Sequence, residues 1–269
     1  MKISLVAAFS LACFAGVASI GCAAPTDGAA DAEEATDDAL TGRQLPGVAA
    51  VEVAEVRAQT TVLSSSTLGA PKKVKSIVSA IKKLKSTDPQ PRCLERDTTR
   101  LTFLDAGGQK LATVDTHCGG FGSISFASGK PGYAVRFDTQ VVEDAKAAPF
   151  AVGDAIWGIT KIELSRPGRN DTRTLTGAAM KPILDGFDLD AVPDPYAIMP
   201  RCLPSHAVAF ERANSDVAYA SFLCGAGSPP PASIKASFSA PNPANRGGDA
   251  LAHGGITIDP RPVLRAFEN

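Results

Sequence analysis

Histidine is scarce in this chain, with three among 269 residues, at positions 117, 206 and 253. None stands in a His-Glu-x-x-His frame, and no serine sits in a Gly-x-Ser-x-Gly elbow, so two common hydrolase signatures are absent. Gly119-Gly120-Phe121-Gly122-Ser123 has the glycines of a phosphate loop but lacks the lysine and helix that should follow. It reads as a β-turn entering a strand, which also sets aside Ser123 and His117 as nucleophile and base. A surplus of charge is missing too. The 27 Lys and Arg residues meet 28 carboxylates for a net charge of −1, without the basic excess that nucleic acid would favour. Aromatic residues are 6% of the chain, and the single tryptophan, Trp157, stands among Ile156 and Ile159. That setting suits a core position or an aromatic at a ligand surface. The residues predict no catalytic set, no metal and no cofactor.

Cysteine is limited to six, too few for a small cystine-knot scaffold. Two lie near the N-terminus and the other four fall into matching settings. Pro91-Arg92-Cys93-Leu94 leads through an apolar segment and a turn to Cys118-Gly119, and Pro200-Arg201-Cys202-Leu203 leads likewise to Cys224-Gly225. The first midpoint falls at Asp105-Ala106-Gly107-Gly108 and the second beside Asn214-Ser215-Asp216, both rich in turn formers. A ribbon folded at its midpoint brings its ends together, which predicts disulfides Cys93–Cys118 and Cys202–Cys224. Each would close a loop of about twenty residues, worth roughly 3 kcal/mol. Zinc competes through Cys202-x3-His206, but His206 has no counterpart in the first half, and His117 aligns with Leu223.

Other features recur in the same order. Ala54-Glu55-Val56 lies against Ile162-Glu163-Leu164, and Thr67-Leu68-Gly69-Ala70 against Thr174 to Ala178. A helix then follows in each half, with Val74, Ile77, Val78, Ile81 and Leu84 at helical spacing in the first. Met180, Ile183, Leu184 and Phe187 keep that spacing in the second, without the lysines that coat the first. After the ribbon come two more strands, Ser123–Phe126 and Tyr133–Asp138, matched by Lys235–Phe238 and Gly255–Asp259. The pattern predicts an α+β protein of two tandem repeats. Each would be an antiparallel sheet in the order β-α-β-β-β-β with one packed helix and one disulfide. That element order is similar to cystatin-like folds, and tandem helix-on-sheet units also occur in secreted bacterial inhibitors of β-lactamase. The likeness is architectural and implies no activity.

Ahead of the repeats, Lys2 precedes an uncharged, mostly apolar run from Ile3 to Ala24. With Ser19-Ile20-Gly21-Cys22 this head resembles a bacterial lipoprotein signal, which implies that Cys22 is lipidated and becomes the mature N-terminus. Ordinary cleavage near Cys22, giving a secreted protein, is the alternative, and an uncleaved anchor is a third. Residues 1–21 are therefore assigned to a signal peptide. Residues 22–46, with Asp27, Asp31, Glu33, Glu34, Asp37 and Asp38 and no cation before Arg43, are assigned to a disordered acidic tether. The repeats take 47–145 and 150–269.

Function is the least legible layer. Arg92 and Arg201 are read as strand-edge arginines or as exposed residues beside a disulfide of the kind protease inhibitors present. Pro230 and Asn242 belong to insertions of the second repeat, where loops rich in Pro, Gly and Asn offer a binding surface. Together these four are the candidate binding residues. The expectation is a non-enzymatic binding or adaptor protein of the cell envelope, attached to a membrane by its lipid and engaging an unidentified protein or small molecule. Nucleic acid is not expected as a partner. An inhibitor of secreted hydrolases, or a hydrolase with an unfamiliar site, are the alternatives.

Overall fold

The structure is a computed structural model that describes residues 45–58, 60–84, 97–117, 119–199, 203–212, 215–223, 231–241 and 251–268. Two runs of alternating apolar and polar residues build two antiparallel sheets. The first contains β1 (Val48–Arg57), β2 (Thr61–Leu68), β3 (Ile81–Lys83), β4 (Asp97–Asp105), β5 (Lys110–His117), β6 (Phe121–Phe126) and β7 (Tyr133–Phe137). Its spatial order is β2-β1-β4-β5-β6-β7-β3. Helix α1 (Pro71–Ala80) lies against β1 and beside α2 (Thr139–Ala147). The short helix α3 (Val152–Ile156) then leads into the second sheet. This contains β8 (Lys161–Arg166), β9 (Asp171–Thr176), β10 (Pro204–Arg212), β11 (Ser215–Leu223), β12 (Ile234–Pro241) and β13 (Leu251–Ile258). Its order is β9-β8-β10-β11-β12-β13, so strand for strand it follows the first sheet apart from β3. A single turn of helix, α4 (Lys181–Leu184), precedes β10, and α5 (Arg261–Ala266) follows β13.

Each sheet buries its own apolar cluster. Val51, Val53, Ile77, Leu101, Phe103, Val114 and Val135 belong to the first, which runs from Leu45 to Ala145. Ile162, Leu164, Phe187, Phe210, Phe222, Phe238 and Ile258 belong to the second, which runs from Val152 to Phe267. Phe187 and Phe210 meet edge to face at 5.3 Å between ring centroids. Along β5 the exposure alternates residue by residue, and the buried set Ala112, Val114 and Thr116 points one way, as a half-buried strand requires.

The expected α+β class is wrong. The described residues carry thirteen strands and five α-helices, and the protein is mainly β. Two stretches to which the expected order gives no strand, Thr61–Leu68 and Asp171–Thr176, are strands at the rims of the sheets. They are rich in Ser and Thr because a rim strand has water on much of its surface. Nor does each half carry one helix. The first half has α1 and α2, and α1 stops at Ala80, because β-branched Ile81 enters β3 and pairs with Phe137. In the second half the expected helix through Phe187 shrinks to a 3₁₀ turn at Gly177–Met180 followed by α4, and Phe187 instead bridges to Ile258. All four cysteines of the expected disulfides lie outside the described residues.

The outer rim of β13 is not bare. The segment after α4 runs along it, with Gly255 donating to the Asp194 carbonyl at 2.8 Å and Asp194 returning a bond to the Gly255 carbonyl at 3.0 Å. Gly254 is pressed so close to Pro193 and Asp194 that a Cβ there would sit 2.6 Å from backbone carbon.

Candidate functional site

Helix α1 begins without a polar cap of its own, since Ala70 occupies the N-cap and Pro71 the first turn. Carboxylates from across the junction serve instead. Asp154 of α3 accepts from the Gly69 and Ala70 amides at 2.9 and 3.0 Å, and Asp190 accepts from the Lys72 amide at 2.8 Å. Negative charge at a helix N-terminus is favourable through the aligned peptide dipoles. The Lys73 ammonium donates to the second Asp154 oxygen at 2.6 Å, and the Ala151 amide donates to it at 3.0 Å. Asp154 is thus buried with four donors, so its charge is matched rather than stranded. Two glycines make this approach possible. A Cβ on Gly69 would stand 2.4 Å from the Gly153 carbonyl oxygen, and one on Gly153 would stand 2.9 Å from Ala70 Cα.

The other end of α3 is held by β10. Arg212 donates to the carbonyls of Trp157 and Ala155 at 3.0 and 2.9 Å, satisfying acceptors at the helix C-terminus. Its guanidinium lies 4.4 Å from the centre of the Trp157 ring, within cation–π range. Burial pushes the Arg212 pKa below its ordinary value, through the cost of desolvating the charge.

Beside Trp157 a cavity of about 400 Å³ opens between the two halves. Ala49 and Gly69 reach it from the first half, Ile156 and Trp157 from the connection, and Met180 and Leu184 from the second. Its wall is chiefly apolar, and the Lys181–Asp185 ion pair, at 2.8 Å, is the charged feature among its lining residues. The size and lining are those of a small-molecule pocket. Among the described residues no group close by is arranged for acid–base or nucleophilic work: Asp154 is saturated with donors, and Lys181 and Asp185 are exposed and paired with each other.

The residues singled out from sequence lie elsewhere. Arg92, Arg201, Pro230 and Asn242, like Cys22, Cys93, Cys118, Cys202 and Cys224, are outside the described residues. His117, His206 and His253 fall on three different strands, β5, β10 and β13. Gly119 and Gly120 form a turn with positive φ ahead of β6, and Ser123 is exposed on that strand. No group of three or more His, Cys, Asp or Glu side chains among the described residues could hold a metal. Trp157 is half-buried at the cavity rather than fully in a core. Asp154 and Arg212 were missed. The one signal in sequence was a lone acidic residue inside Phe150-Ala151-Val152-Gly153-Asp154-Ala155-Ile156, an otherwise apolar connection.

Compared with protein-family models, curated proteins and solved structures, the chain matched none.

Proposed function

We propose that the protein is a non-enzymatic binding protein of the cell envelope, tethered by lipid at Cys22, which takes a small apolar or aromatic molecule into the cavity beside Trp157. The observation that carries this reading is the cavity itself, which gathers apolar side chains from both halves around the single tryptophan. A flat aromatic wall and aliphatic neighbours reward burial of apolar ligand surface, and the Lys181–Asp185 pair at the rim offers one polar handle. Disulfides Cys93–Cys118 and Cys202–Cys224 remain part of the proposal. In its support, Pro204 of β10 pairs with Leu223 of β11, with Cys202 two residues before the one and Cys224 directly after the other, and Thr99 of β4 pairs with Thr116 of β5, with Cys93 six residues before and Cys118 two after. No helix among the described residues is long and apolar enough to cross a membrane.

The emission of Trp157 reports on the cavity directly. Titration with a panel of small aromatic and aliphatic compounds should shift or quench it, and Met180→Arg should weaken the response at least tenfold. If no compound in the panel, nor a lipid extract of the native envelope, alters emission or raises the melting temperature, the cavity reading fails. Intact mass of the mature protein, with and without Cys22→Ala, checks the lipid. Thiol counting under denaturing conditions checks the disulfides.

A further inference from the structure

A second site stands apart from the cavity, where the β8–β9 hairpin meets the C-terminal helix. Between Arg166 and Arg173 the chain reads Arg-Pro-Gly-Arg-Asn-Asp-Thr-Arg, three cations against one carboxylate. The turn is short and exposed, with Asn170 at φ 48, so Arg169 stands in water while Arg166 and Arg173 lean inward. Both inward arginines lie over Phe267, the C-cap of α5, with guanidinium carbons 4.6 and 5.9 Å from its ring centre. The His206 ring of β10 closes the cluster at 5.5 Å from the same ring.

Most of this donor capacity is unused. Arg166 bonds Asp171 through one terminal nitrogen, while its buried Nε–H finds no acceptor among the described residues. Among the described residues the side chains of Arg169 and Arg173 make no hydrogen bond or ion pair. An arginine fork fits the oxygens of a tetrahedral anion two at a time. Stacking on Phe267 fixes the planes of two guanidinium groups in advance and so lowers the entropy lost when an anion is gripped. Clustered arginines repel one another, and an uncompensated cluster of this kind is stabilised by an anion.

We propose that the Arg166–Arg173 hairpin, with Phe267 as its floor and His206 at its side, binds a tetrahedral oxyanion of the phosphate or sulfate class. The inference does not rest on the cavity, and either can fail alone. His206 provides the readout. Partial burial, then the charges of Arg166 and Arg169, hold its pKa below the ordinary histidine value. An anion among those arginines cancels that repulsion and raises it.

The experiment follows the three histidine rings of the full-length mature protein by NMR through a pH titration, in sulfate and in chloride at equal ionic strength. Sulfate does not itself titrate in this range. His206 is assigned with His206→Gln, and His117 and His253 serve as internal controls. The expected result is that sulfate lifts the His206 pKa by about half a pH unit relative to chloride, a size set by one charge at moderate distance in partly screened surroundings. Arg173→Gln should abolish that difference. Arg169→Gln, at an exposed position that folding does not need, should reduce it and keeps the test open if Arg173→Gln disturbs β9. Equal His206 titrations in the two salts, or a sulfate effect that survives both substitutions, overturns the site.

Discussion

The two halves follow one strand order and differ in what lies between the first hairpin and the rest of the sheet. In the first half that segment is the ten-residue helix α1, and in the second it is a 3₁₀ turn and the single helical turn α4. The first begins just after Gly69-Ala70 and the second opens on Gly177-Ala178, and each carries a proline, Pro71 and Pro182. The difference is what waits at the N-terminus. Two carboxylates from beyond the junction accept amides at or just before the start of α1. No side-chain cap bonds the start of the second segment, and Gly177 begins it with φ 56. The sheet depends on pairing within each half, whereas the helix depends on partners from the other. Where the helix is short, its residues line the cavity instead.

Removing Asp154 should break this contrast most severely. Asp154→Ala strands three amides and takes the carboxylate from the Lys73 ammonium, which keeps the Pro149 carbonyl at 2.9 Å, and should cost about 3–5 kcal/mol in chemical denaturation. Hydrogen exchange should quicken in residues 71–80 and change little in 177–184. Filling the glycine contact comes next. Gly69→Ala forces a Cβ against the Gly153 carbonyl and Trp157, and should cost roughly 1–3 kcal/mol while altering Trp157 emission. Arg212→Leu keeps some packing but removes two hydrogen bonds and the ring contact. A loss of about 1–2 kcal/mol should appear, with the tryptophan band shifted and exchange in 71–80 near wild type. The smallest effect sharpens the comparison from the other side, since His206 belongs to the second half. Its pKa is depressed in the folded state, so the unfolded chain binds more protons between the two values. Stability should therefore hold above the ordinary histidine pKa near 6.5 and decline as the pH falls towards the folded value. His206→Gln should flatten that decline in a series of denaturation curves.

How far sequence reached can be argued from particular stretches. Ala207–Phe210, Val217–Leu223, Leu101–Phe103 and Ser123–Phe126 combine β-branched or aromatic residues with turn formers at their ends, and each forms part of a strand. Polar rim strands such as Thr61–Leu68 are opaque, because a sequence of Ser and Thr reads as a loop unless its partner is known. The second helix misled for a related reason. Met180, Ile183, Leu184 and Phe187 have helical spacing, but Phe187 is buried by edge-to-face contact with Phe210 and bridged to Ile258, contacts made across the fold. Helical spacing records only that several side chains share a face, and tertiary packing chose otherwise. The candidate site was hidden more deeply. Its floor comes from positions as far apart as Ala49 and Leu189, and no local pattern announces that they meet.

The way the sheets end has a consequence for how the protein behaves when it is concentrated. An unpaired strand is a template on which a neighbouring molecule can add its own. Here β13 is already partnered by the chain around Asp194, and β3 is three residues long with lysines at two of them. Threonine and serine, well hydrated, dominate β2 and β9. The rim left most open is β2, eight residues long with Val62 and Leu63 exposed, so that is the edge on which a crowded neighbour would first add a strand.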